Sequence, residues 1–300
     1  MALLRMFESP PQAPGYSITL QTLSQADIMA ALFISGEAKI GILPPNIAAK
    51  IASSGGKIQI AAVTGTGMLT LLSGDANTRR IEDLKGKTVE IAGQGATPDF
   101  VFRKIAQSKN MIVGKDITPG YALAYPEMAL AIAAGRIQFA LLPEPWTTMA
   151  LIANNKLRAI GDIQYEWMRL TENQKSGAPV GRGIAPADNY PMTALVVDRD
   201  FAAANGALIG IILESVKNSI EWVTAHPVEA GLLAEKYELG LKAQIVQAAI
   251  PKSNYVFIPL PQARAGLEKL FKVFLEFAPA SIGGTLPGDD FYWTNSRLAK

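Results

Sequence analysis

Hydrophobic positions along this chain follow two rhythms. Short β-rich runs at residues 18–20, 39–43, 58–63 and 87–92 predict strands. Longer runs with helical spacing at 25–34, 46–52 and 100–107 predict helices, the first ending near Gly36. Alternation of this kind over the first two hundred residues predicts an α/β chain with mainly parallel sheets and crossover helices. Beyond about residue 200 the pattern turns helical, at 207–224, 227–236, 241–249 and 261–277, and predicts a C-terminal helical layer.

The pattern also repeats. The stretch Asp27-Ile28-Met29-Ala30-Ala31 through Gly36 to Pro44 matches Pro126-Glu127-Met128-Ala129-Leu130 through Gly135 to Pro143. The offset is constant at 135 − 36 = 99, and each copy orders helix, Gly, strand ending in Leu-Pro, helix, strand. Two lobes on one plan are therefore expected: lobe one from 1–70 with 196–300, lobe two from 71–195. Extended apolar runs at 68–72 and 192–197 are the expected crossings, and two parallel connections form a two-strand hinge. The same register lays residues 3–8 on the helix after strand 87–92. It leaves lobe one's matching first strand and loop without residues in this chain.

Composition narrows the chemistry. The chain has 300 residues, 49% hydrophobic and 18% charged, with a net charge of +2 and no basic cluster beyond Arg79-Arg80. It is globular and gives no reason to expect a nucleic-acid partner. With no Cys and one His, thiolate and multi-His metal sites are excluded; no metal, cofactor or catalytic residue is expected. No apolar stretch is long enough to span a membrane, and the first residues lack the profile of an export signal.

The candidate chemistry lies at strand ends. Gly93 to Asp99 follows a strand and opens a helix, with Thr97 as N-cap and Pro98 as first helical residue. Either it is a well-made helix start, or Gly95, Ala96 and Thr97 offer backbone N–H groups to a ligand, as strand ends of open α/β sheets do. Asn46 and Glu144 occupy equivalent turns, one per lobe. Glu144 either accepts from a ligand N–H or caps its own helix, and Trp146 is either a flat wall or core. Thr66, between Gly65 and Gly67, is a cleft-mouth hydroxyl or part of a plain turn. Arg182 and Tyr190, near the Gly/Pro/Ala-rich stretch 175–189, are further candidates. His226 sits at a helix end, where it complements the dipole. The loops at 44–46, 65–67, 93–99 and 143–146 hold no Arg or Lys.

These motifs carry a resemblance. The run Glu82-Asp83-Leu84-Lys85-Gly86-Lys87-Thr88-Val89 resembles the start of the second lobe in type II periplasmic solute-binding proteins. Gly93 to Asp99, Pro143-Glu144-Pro145-Trp146, Ser219-Ile220-Glu221-Trp222, and Ile282-Gly283-Gly284 with Pro287 and Phe291-Tyr292 resemble the nitrate/sulfonate/taurine branch, which overlaps the thiamine-pyrimidine-synthase-like fold group. The resemblance runs from about residue 16 to 293. It implies a two-lobed periplasmic-binding-protein type II fold and a monomeric, extracytoplasmic receptor. That receptor would hold a small anionic or heterocyclic solute in the interlobe cleft and deliver it to an ABC permease in the membrane. Two other classes stand beside it: a cytosolic enzyme of the same fold using carboxylates such as Glu144 or Asp99, and a sensor feeding a separate partner.

Overall fold

The computed structural model describes residues 1–23, 25–170 and 189–294. The chain divides into two compact units, Met1–Thr66 with Pro191–Lys300, and Gly67–Tyr190.

Unit one opens with α1 (Leu4–Glu8), α2 (Ala26–Ser35), β1 (Ile40–Leu43), α3 (Pro45–Ser53) and β2 (Ile58–Thr66). Unit two supplies β3 (Leu69–Ser73), β4 (Thr88–Ile91), α4 (Thr97–Ser108), β5 (Thr118–Gly120), α5 (Tyr125–Ala133), β6 (Phe139–Pro143), α6 (Trp146–Ala153), β7 (Arg158–Asp162) and α7 (Ile163–Arg169). The chain then completes unit one with β8 (Pro191–Asp198), α8 (Arg199–Ala204), α9 (Gly206–Ala225), α10 (Pro227–Lys236), α11 (Ala243–Ala249), β9 (Tyr255–Pro259) and α12 (Arg264–Phe277).

The sheet of unit two runs β5-β4-β6-β3-β7. β4 pairs in parallel with β5 and β6, while β3 is inserted antiparallel between β6 and β7. The sheet of unit one runs β1-β8-β2-β9. Here β8 lies antiparallel between β1 and β2, pairing Ala194 with both Leu43 and Val63. β1 and β2 therefore run parallel, as a helical crossover demands, but are not neighbours. Every pairing in this sheet is antiparallel, so the expectation of mainly parallel sheets needs this refinement for unit one.

The 99-residue register holds in the folded chain. α2, β1, α3 and β2 recur in order as α5, β6, α6 and β7, each set split by an inserted antiparallel strand. Gly36 and Gly135 end the paired helices with φ of 78° and 72°, values that side chains bearing a Cβ rarely adopt. The helix expected at 3–8 is α1.

Two expectations are corrected. Residues 18–20 form no strand: their counterpart in the register is β5, which exists by pairing with β4, and among the described residues no strand lies beside β1 to do the same. The run at 261–277 is helical only from Arg264, and the strand β9 before it was not expected. The C-terminal helical layer is otherwise where the periodicity puts it. In α12, Leu267, Leu270, Phe271 and Phe274 are buried at helical spacing. His226 joins α9 to α10, stacks on Trp222 and places Nδ1 2.9 Å from the Trp222 carbonyl oxygen.

Candidate functional site

The parallel pairing of β4 with β6, Ile91 opposite Leu141, brings their C-terminal ends side by side. The loop carrying Gly95, Ala96 and Thr97 thus adjoins the turn carrying Glu144 and Trp146. In unit one, Asn46 follows β1 and Thr66 ends β2, at the same end of that sheet with β8 between them. The candidates therefore form two sets, one per unit. Arg182 and most of stretch 175–189 lie outside the described residues.

The loop before α4 is tied down from behind. Gly93 and Gly95 have φ of 77° and 73°, so each needs glycine. The Ala96 amide donates to the Gly93 carbonyl at 3.0 Å, and the Gly95 amide to Asp99 Oδ2 at 2.9 Å. Asp99 is buried, and its Oδ1 accepts from Arg103 Nε at 2.7 Å and from the Tyr121 hydroxyl at 3.0 Å. Burial opposes the Arg103 charge, but Asp99 and Tyr121 outweigh it and hold the guanidinium above its ordinary pKa. Burial, reinforced by the Asp99 charge, raises the Tyr121 phenol. Asp99 is thus the fastening of the loop, with both oxygens engaged. That removes it from the free carboxylates an acid–base reading would use.

The α4 start differs from expectation. Ala96 occupies the N-cap, Thr97 is the first helical residue and Pro98 the second. The Thr97 side chain caps nothing: it is 2% exposed and its Oγ1 has no hydrogen-bond partner. Glu144 is also buried, and its Oε2 accepts the Thr148 amide at 3.1 Å in the first turn of α6. It therefore performs the capping role weighed for it. Trp146 is half-buried and packs one side on the cluster containing Leu72, Ala92 and Leu142, so it is partly core.

In unit one, Asn46 is the second residue of α3, 6% exposed, with Oδ1 unpartnered. Thr66 is buried, its amide donating to the Asn254 carbonyl at 3.1 Å. It belongs to the end of β2 rather than to an open turn. Tyr190 is fully buried.

Sequence reasoning missed Thr148, whose buried Oγ1 is also unpartnered. The signal was available: Thr147-Thr148 fall in the first turn after Pro145-Trp146, as Thr97 does after its loop. Asn46 Oδ1, Thr97 Oγ1 and Thr148 Oγ1 share one setting, the first turn of a helix that follows a strand, in α3, α4 and α6. A buried polar oxygen without a partner costs about 1–3 kcal/mol, so a recurrent one asks for a hydrogen-bond partner from outside the chain.

Residues 15–230 match the NMT1/THI5-like family. No curated protein sequence matches the chain. Among solved structures, the chain is similar to an ABC transporter protein from Parabacteroides distasonis, with TM-score 0.77 and 20% identity over 98% of this chain and 94% of that one. It is also similar to the periplasmic aliphatic sulphonate binding protein SsuA from Escherichia coli, with TM-score 0.67 and 16% identity over 89% of this chain and 79% of that one. A third is the periplasmic nitrate-binding protein NrtA from Synechocystis PCC 6803, with TM-score 0.59 and 11% identity over 86% of this chain and 74% of that one. At these identities the shared property is the fold.

Proposed function

The chain belongs to the NMT1/THI5-like family, and on that premise we propose that it is the solute-binding receptor of an ABC-type importer. The receptor holds a small anionic or heterocyclic organic molecule at its strand-end turns. It passes that molecule unchanged to a membrane permease and works outside the cytoplasm. Among the described residues no helix is long and apolar enough to cross a membrane.

The observation that carries the reading is the pair of unpartnered buried hydroxyls, Thr97 and Thr148, at the starts of α4 and α6 in unit two. A polar solute bound at the starts of α4 and α6 satisfies these hydroxyls, while the Gly95 and Ala96 amides are already engaged within the loop. Supporting this, the aligned SsuA and NrtA are periplasmic binding proteins for a sulphonate and for nitrate. The engagement of Asp99 by Gly95, Arg103 and Tyr121 suits a binding loop better than acid–base chemistry.

Native mass spectrometry of protein purified without refolding tests the reading. One small molecule at unit stoichiometry, recovered unchanged, is expected. The same molecule should stabilise the protein thermally, and Glu144→Ala with Trp146→Ala should abolish that stabilisation. Turnover of the molecule, or a response like wild type in both variants, contradicts the proposal.

A further inference from the structure

We infer that Tyr190 and Gln164 are positioning residues: they touch no solute but fix the backbone against which the Glu144 turn is built. The Tyr190 hydroxyl donates to Gln164 Oε1 at 2.9 Å, and the same oxygen accepts the Leu69 amide at 2.9 Å. Burial pushes the phenol well above its ordinary pKa, so it stays an O–H donor. The ring meets Trp167 edge-on, with centroids 5.4 Å apart. The ring also lies against backbone at Gly67. A Cβ on Gly67 would fall 2.6 Å from Tyr190 Cε1 and Cζ and 2.5 Å from Asn189 Oδ1, so only glycine lets the chain pass this close. Asn189 closes the arrangement: its Oδ1 accepts the Tyr190 amide at 2.9 Å.

The segment gripped in this way is the one the site leans on. Between Gly67 and Leu69 lies Met68, whose carbonyl accepts the Glu144 amide at 3.1 Å. Leu69 itself pairs with Pro143. Three residues of backbone therefore have Gln164 and Tyr190 on one side and the Pro143-Glu144 turn on the other. If Leu69 is released, the turn loses the partner that sets its height at the end of β6. This inference rests on the reading that the Glu144 turn meets the solute.

Hydrogen exchange of the full chain, read at single amides and with no solute present, is the test. Tyr190→Phe keeps the ring and removes only the donor. It should speed exchange at Leu69 and Glu144 about fivefold to tenfold while the amides of β4 in the same sheet stay unchanged. Gln164→Leu should act more strongly at both amides, and Gln164→Glu, which keeps an acceptor, should restore protection at Leu69. Unchanged exchange at both amides in Tyr190→Phe overturns the inference. So does equal acceleration in β4, because that reports general loosening and not positioning. Failure here is separable from failure of the site itself, which is read by the loss of solute stabilisation in Glu144→Ala.

Discussion

β1 and β6 occupy the same place in the repeated plan, yet they are packed very differently. All five residues of β6 are buried, whereas β1 buries only Leu43. The helices before them follow suit: α5 buries Met128, Ala129, Ala131 and Ile132, while α2 buries only Phe33 and leaves Ile34 72% exposed. The cause lies in the sheets. β6 has β4 on one edge and β3 on the other, while β1 has β8 alone among the described residues. Shared local sequence thus determines the order of elements and their punctuation, and the number of flanking strands determines how much of each is removed from water. Gly41, the register mate of Ala140, shows the adjustment at one residue: α2 lies so close that a Cβ there would sit 2.7 Å from Met29 Sδ.

The contrast is open to direct challenge. Register mates Leu141 and Ile42 are fully buried and half-buried. Leu141→Ala should cost about 3–4 kcal/mol in urea unfolding and Ile42→Ala about 1–2 kcal/mol; equal costs would break the comparison. Gly36→Ala and Gly135→Ala should cost about the same, on the order of 1–2 kcal/mol each, because both replace a left-handed residue, and an added Cβ meets only the Lys39 Nζ, at 4.0 Å, at Gly36 and nothing within 4 Å at Gly135. A large inequality between them would show that the punctuation is not shared.

The smallest effect belongs to unit two alone. Asp75 accepts from the Asn77 amide and the Thr78 hydroxyl, which hold its carboxyl below the ordinary Asp value. Its contribution is present above that ordinary value and is lost as pH falls through the lowered one. Asp75→Asn should therefore slightly flatten the acid limb of unfolding followed from pH 5 downward. An unchanged slope would remove Asp75 from the account.

Much of this architecture is legible in the chain because its punctuation is local. Gly36 and Gly135, the two Leu-Pro strand ends, and Pro227 opening α10 act through backbone conformation within a few residues. The strand at 18–20 failed for a non-local reason, since a strand exists only with a neighbour to pair with. β8 and β3 read correctly as extended runs, but their insertion between strands of the same unit depends on pairings far along the chain. At the site, residue types were readable and partners were not. Asp99 was weighed as an acid–base carboxylate, yet it holds Arg103, Tyr121 and Gly95 at once. Thr97 was expected to cap and instead keeps a buried hydroxyl without a partner. Tyr190 was expected near a ligand, but the approach of Gly67 and Gln164 that encloses it leaves no trace in sequence spacing.

The central claim is that the buried hydroxyls left unpartnered at the starts of α4 and α6 are kept for a guest, and Thr97→Val tests it with one atom's change of chemistry. Thermal unfolding of the variant, alone and with the co-purified molecule, gives both readings. The claim predicts that the empty variant melts at the wild-type temperature or above it, because an unpartnered buried hydroxyl has been removed. It also predicts that the stabilisation conferred by the molecule falls sharply. A variant that melts lower when empty, yet gains as much from the molecule as wild type, would contradict it.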